Sequence, residues 1–267
     1  MVMNMEGQSK PEKMAADRYS EFQAIMGVTK HMGGVKATEA LADSCRIDRD
    51  KYILDIGCGL GRTACFLAKT YGCKVMGIDL SQKMVEQSRM RAKKEGLEDQ
   101  VEFRIADAQC LPFEANTFDA VIGESVLAFI ENRPLAFREF IRVAKPGGSI
   151  GFNECTWIQR PPERLVKYMA DILGAAFLTP GGWREICEKS GLQKVSGLSF
   201  KVRILEQWGY EIRELDFKAY SGAWLRFWLL LVKSPECRQW ARKTLSMPGN
   251  ILAVFKYFGY GIYVGIK

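Results

Sequence analysis

Three glycines at alternate positions, Gly57, Gly59 and Gly61, follow the acid Asp55 and precede a second acid, Asp79. Alternating glycines turn the chain tightly and let a ligand approach the backbone. An acid closing the next strand is placed to accept ribose hydroxyls, and a helix starting after the turn offers its N-terminal N–H groups. The chemistry indicated is recognition of a nucleoside-type ligand. Cys58 lies inside the turn and is counted with the ligand-contacting residues, as a small packing side chain rather than a nucleophile, as is Cys65 in the helix beyond. Proton transfer has three candidates: His31, the only histidine, and the acids Glu124 and Glu154. A histidine with a pKa near 6.5 suits general-base work at neutral pH. His31 falls at the Gly33–Gly34 break, where a lid or catalytic role and a solvated loop position both stay open. For Glu124, cofactor binding, substrate orientation and capping of the next helix are open.

The elements that must hold these residues alternate between strand and helix. Tyr52, Ile53, Leu54 and Ile56 form a short apolar run broken at Gly57. Residues 63–70 are good helix formers with Ala64, Leu67 and Ala68 on one face, ending near Gly72. Residues 74–78 form the next buried strand, closed by Asp79. Ser81 caps a helix to about Glu95 with Met84, Val85 and Ser88 inward, and Gly96 ends it. An alternating strand from Val101 stops at Ala106-Asp107. A fourth strand runs from Phe118 through Ile122, and a helix spans residues 135–143. Lys145-Pro146-Gly147-Gly148 then turns into a fifth strand over 149–155.

Two details select among nucleoside binders. The dinucleotide fingerprint G-x-G-x-x-G requires glycine where this chain has Arg62. The pattern D-x-G-x-G-x-G from Asp55 to Gly61 instead resembles motif I of the class I S-adenosylmethionine-dependent methyltransferases. Phe118-Asp119-Ala120-Val121-Ile122 and the KPGG turn extend the resemblance over roughly residues 50 to 155, within the type 11 (ubiquinone/menaquinone-biosynthesis-like) small-molecule group. It implies an α/β, Rossmann-like, seven-stranded and mostly parallel sheet, with the last strand antiparallel and helices on both faces. It implies S-adenosyl-L-methionine as cofactor, released as S-adenosyl-L-homocysteine, with no metal required. Asp55 then holds the loop or the amino-acid end of the cofactor, Gly57, Gly59 and Gly61 admit its methionyl and ribose parts, Asp79 takes the ribose, and Leu80 is a neighbouring cofactor contact. Asp107 and Ala108 meet the adenine, and Glu124 is counted among the candidate cofactor contacts with its other roles open. Nucleobase N-methyltransferases usually carry an Asn/Asp-Pro-Pro-aromatic run after the fourth strand. Here stand Gly123, Glu124, Ser125 and Val126, which argues against that substrate class. A nicotinamide oxidoreductase is opposed by Arg62 and by KPGG.

At 267 residues the chain fits one large domain or a core with a cap. The expected division is a tail with lid helices over 1–45 and a methyltransferase domain over 46–267, with cap insertions at about 156–178 and 205–258. Segments inserted after the fifth and sixth strands start above the cofactor edge. Their Trp157, Trp208, Phe217, Trp224, Phe227, Trp228, Trp240, Phe255 and Phe258 suggest an apolar cap over a small apolar or aromatic acceptor, a lipid or quinone-like one included. A structural helical layer, a homodimer face and membrane docking through Trp224 and Trp228 are alternatives, as is a non-catalytic cofactor-binding protein. The charge of +7 is spread along the chain and favours no nucleic-acid groove. No apolar run approaches the ~18 residues of a spanning helix. The eight cysteines form no C-x-x-C and suit reduced thiols in the cytoplasm.

Overall fold

The computed structural model describes residues 31–202 and 255–267 continuously, together with Gln23 and a set of residues between 222 and 242. Residues 1–30 of the expected tail and lid, Gln23 apart, and most of the expected cap over 205–258 lie outside the described residues. In chain order the described elements are α1 (Gly34–Ser44), β1 (Tyr52–Ile56), α2 (Arg62–Tyr71), β2 (Lys74–Asp79), α3 (Gln82–Glu95), β3 (Val101–Ile105) and β4 (Phe118–Glu124). A 3-10 turn (Leu127–Phe129), α4 (Arg133–Val143), β5 (Ala144–Trp157), α5 (Glu163–Leu173), α6 (Pro180–Lys189), β6 (Gln193–Lys201) and β7 (Phe258–Ile266) follow.

The strands form one seven-stranded sheet in the order β3-β2-β1-β4-β5-β7-β6. β1 pairs in parallel with both β2 and β4, whereas β7 runs antiparallel to β5 and β6. The chain leaves β1 toward β2 and β3, then returns to β4 on its other side. That reversal opens a crevice at the carboxyl ends of the strands, where ligands of open α/β sheets bind.

Side-chain alternation divides the core. Ile53 joins Leu41, Ala64, Leu67, Val85 and Ile262 on one face of the sheet. Leu54 and Ile56 join Phe137, Phe152, Trp183 and Tyr263 on the other. Both faces carry buried apolar clusters, as expected of a mainly parallel sheet covered by helices. Local signals set the helix ends as expected: Ser81 Oγ accepts from Met84 N, and Gly96 closes α3 at φ 67°.

The boundaries of β5 and β7 differ most from the sequence reading. β5 begins at Ala144, ahead of Gly147, because Ala144 pairs with Phe118 before a register shift. Trp157 and Phe258, both expected in the cap, are paired residues of β5 and β7. Their rings meet at 5.5 Å, and both contact Phe177 at 5.8 and 5.2 Å. The aromatic cluster expected above the sheet thus starts within it. All eight cysteines are free thiols, and burial pushes Cys45 up to about 12.

Candidate functional site

The carboxyl ends of the strands surround a cavity of about 1160 Å³. The loop after β1 supplies its first wall. Gly57, Gly59 and Gly61 all have positive φ (65°, 52° and 71°), a conformation that costs other residues about 1–2 kcal/mol. The turn is pinned from below: Cys58 N donates to Ile78 O at 2.9 Å, and Gly59 N donates to Asp79 Oδ2 at 3.0 Å. Asp79 Oδ1 accepts from Ser81 N at 2.8 Å. Burial raises the Asp79 carboxyl, and the Ser81 and Gly59 N–H groups oppose that rise. Each oxygen keeps a further lone pair for a ligand hydroxyl.

Gly57, Cys58 and Gly59 line the cavity; Gly61 does not. A β carbon on Gly61 would stand 2.8 Å from Phe103 Cζ and 2.9 Å from Ser88 Cβ, so this glycine lets α2 pack against α3 and β3. That packing role is one the glycine spacing did not indicate. Leu80 stands on the rim, 70% exposed. Asp107 and Ala108 line the wall after β3. Asp107 Oδ1 accepts from Gln109 N at 2.8 Å, so it closes its own turn while facing the cavity.

Asp55 lies in mid-sheet and is 2% exposed. Its Oδ2 has no hydrogen-bond partner among the described residues. Burial holds its carboxyl well above the usual range, with Glu124 and Asp79 adding to the rise. A buried acid with an unused oxygen at a cavity wall suits a cationic or hydrogen-donating ligand.

Glu124, at the end of β4, collects the residues on the other side. It accepts from Thr63 Oγ1 at 2.7 Å, from Thr38 Oγ1 at 3.0 Å and from Asn153 Nδ2 at 3.3 Å. His31 Nε2 lies 3.1 Å from Thr38 Oγ1 and 3.8 Å from Glu124 Oε2. With its side chain 20% exposed, His31 is a bonded wall residue rather than a solvated loop position. Asn153 Nδ2 also donates to Met32 O at 2.8 Å, tying the chain beside His31 to β5. The structure therefore brings His31 and Glu124 together.

Glu154 is fully buried, and its Oε1 accepts from Val126 N at 2.7 Å and Leu127 N at 2.6 Å. Burial pushes it up to about 7, against those N–H groups and Arg133. It anchors the loop after β4, while its Oε2 has no partner among the described residues. Ser125, the residue after Glu124, adopts φ 55° and lines the cavity. Sequence reasoning did not select Thr38, Thr63, Ser125 or Asn153 as site residues. Of these, Ser125 at the carboxyl end of a strand was the one with a local signal.

The sheet order gives the cavity two ends. Toward β2 and β3 lie the glycine turn, Asp79 and Asp107. Toward β5 and β7 lie Met169, Leu173, Phe177 and Phe258. Among the described lining residues, Arg62 and Lys83 are the lysine or arginine side chains, and both open helices at the glycine-turn end. The described residues contain no group of three or more histidine, cysteine or acid side chains able to hold a metal ion.

Comparison with known proteins agrees with this fold. The family model described as a methyltransferase domain matches residues 54–152. An uncharacterized protein of Haemophilus influenzae is 31% identical over 202 residues, covering 73% of this chain and 80% of its own. The sarcosine/dimethylglycine N-methyltransferase of Halorhodospira halochloris is 28% identical over 174 residues; the match covers 65% of this chain and 62% of that enzyme, under two thirds of its length. Among solved structures, the [4+2]-cyclase SpnF superposes with a TM-score of 0.75 at 20% identity, covering 96% of each chain. A likeness at that identity conveys the fold and not the reaction.

Proposed function

The chain belongs to the class I S-adenosylmethionine-dependent methyltransferases of the type 11 group, and on that premise we propose that it methylates a small acceptor with an apolar or aromatic body. The observation that carries the reading is one cavity joining the glycine turn to a lobe walled by Phe129, Met169, Leu173, Phe177 and Phe258. No lysine or arginine among the described residues lines that lobe, whereas Glu124 and Glu154 stand beside it. An anionic acceptor would meet like charge there; a neutral or cationic one would not. The Halorhodospira relative is named for sarcosine and dimethylglycine, both carboxylates, for which this lobe offers no described cation. A lipid or quinone-like acceptor meets the same apolar criterion.

The cofactor supplies a methyl group on a cationic sulfur and leaves as neutral S-adenosylhomocysteine. This chain's residues then have binding, orientation and proton removal to perform. Asp79 holds ribose hydroxyls with the lone pairs left by Gly59 and Ser81, and Asp107 with Ala108 borders the adenine. Asp55 Oδ2 takes a donor from the amino-acid end, where its burial strengthens the contact. For an acceptor that must lose a proton, His31 is the base, with Glu124 behind it. Glu154 positions the loop between cofactor and acceptor.

The test is incubation of the purified chain with methyl-labelled S-adenosylmethionine and fractionated cell extract. Label should enter an organic-extractable small molecule and stay out of nucleic acid. Tight cofactor binding without label in any fraction would instead make the chain a non-catalytic binder.

A further inference from the structure

Counting donors around Glu124 fixes the direction of each hydrogen bond in the cluster. An ionised carboxylate only accepts, and a threonine hydroxyl has one proton to give. Thr63 Oγ1, Asn153 Nδ2 and Thr38 Oγ1 all donate to Glu124, Thr38 to both of its oxygens at 3.0 and 3.2 Å. Having given its proton to Glu124, Thr38 can only accept from His31 Nε2, 3.1 Å away.

We infer that Glu124 and Thr38 hold His31 as the Nε2–H form, leaving Nδ1 as the atom that takes the acceptor's proton. Among the described residues none bonds Nδ1. In the transfer, Nδ1 accepts a proton from the acceptor's heteroatom as that atom's lone pair forms the bond to the methyl carbon. The electrons of the carbon–sulfur bond go to the departing sulfur. Positive charge then rests on the imidazolium, 3.8 Å from Glu124 Oε2. Thr38 and Glu124 do not receive the proton; they are positioning residues. Asn153 contributes by fixing the Met32 carbonyl beside the ring. The inference rests on the reading of His31 as the base, but its test does not depend on knowing the acceptor.

The chain has one histidine, so the imidazole nitrogen resonances of ¹⁵N-labelled protein, prepared without a histidine tag, report on His31 alone. At about pH 8.5, some two units above an ordinary histidine pKa, wild type should show a protonated Nε2 and an unprotonated Nδ1. Thr38→Val should move both resonances toward those of an imidazole averaging its two tautomers, and Thr38→Ser should restore them. A protonated Nδ1 in wild type, or a folded Thr38→Val protein with an unchanged spectrum, would overturn the inference. A protonated Nδ1 in wild type overturns the inference even if the valine variant does not fold. An Nε2–H spectrum together with full turnover by His31→Gln would leave the positioning intact and remove His31 as the base.

Discussion

Gly57 and Val126 face each other so closely that a β carbon on the glycine would overlap Val126 Cγ2 and stand 2.9 Å from its Cβ. The cofactor turn after β1 and the loop after β4 are therefore packed as one unit, and Val126 N is in turn held by Glu154.

Gly57→Ala should carry two separable costs. The left-handed φ of 65° costs alanine about 1–2 kcal/mol, and the forced contact adds about 1–3 kcal/mol. Urea unfolding should show a loss of about 2–5 kcal/mol. Adding Val126→Ala should return the packing part and leave the backbone part, so the two changes should not add. A single-mutant loss below about 0.5 kcal/mol would show that the loops are not tightly packed.

Glu154 gives stability a definite pH dependence. Its folded pKa, raised from 4.5 to about 7 by burial, means that between those values the folded state holds a proton that the unfolded state has released. Its contribution is therefore fully present below about pH 4.5 and falls as pH rises to about 7. At 1.36 kcal/mol per unit, the span is on the order of 3 kcal/mol. Glu154→Gln keeps an oxygen for Val126 N and Leu127 N but cannot ionise. The difference in unfolding free energy between wild type and variant should drift in the variant's favour from pH 4.5 to 7. A difference independent of pH would show that Glu154 is ionised throughout.

Asp55 should separate stability from binding. Its carboxyl is buried, lacks a partner on Oδ2 and lies near two other acids. Asp55→Asn relieves that repulsion, so the ligand-free protein should unfold no more easily than wild type. S-adenosylmethionine affinity should fall at least tenfold, about 1.4 kcal/mol, in calorimetry. An unchanged dissociation constant would remove Asp55 from the cofactor site.

The lobe proposed for the acceptor should be closable without touching the cofactor. Met169→Trp enlarges a half-buried side chain of α5 on the lobe wall. Cofactor affinity should stay within about twofold, and turnover in extract should fall more than tenfold, over 1.4 kcal/mol in barrier. Equal losses in both would place the lobe within the cofactor site.

The residues that were legible in the sequence are those whose signals are local. Ser81 capping α3, Gly96 ending it and the apolar runs of β1 and β2 each follow from a few neighbouring residues. The two ends of the chain's site differ in this respect. The partners of Glu124 come from α1, α2 and β5, and the Asn153–Met32 bond joins elements far apart in sequence. Such contacts exist only once the sheet order is set, so Thr38, Thr63 and Asn153 gave no signal. The packing role of Gly61 gave no signal for a related reason: spacing groups it with Gly57 and Gly59, but its closeness to a neighbouring ring depends on where Phe103 lies. Trp157 and Phe258 read as cap residues because aromatic content does not distinguish a strand end from the layer above it.

The most direct measurement is thermal unfolding with S-adenosylmethionine, S-adenosylhomocysteine, NAD and NADP in turn. A ligand at 100 times its dissociation constant stabilises by about 2.7 kcal/mol, several degrees at roughly 2–4 °C per kcal/mol. A shift of that size with the two S-adenosyl compounds, and none with the nicotinamides, is the expected result. A shift with NAD or NADP alone would contradict the assignment of the glycine turn and, with it, the methyl-transfer function.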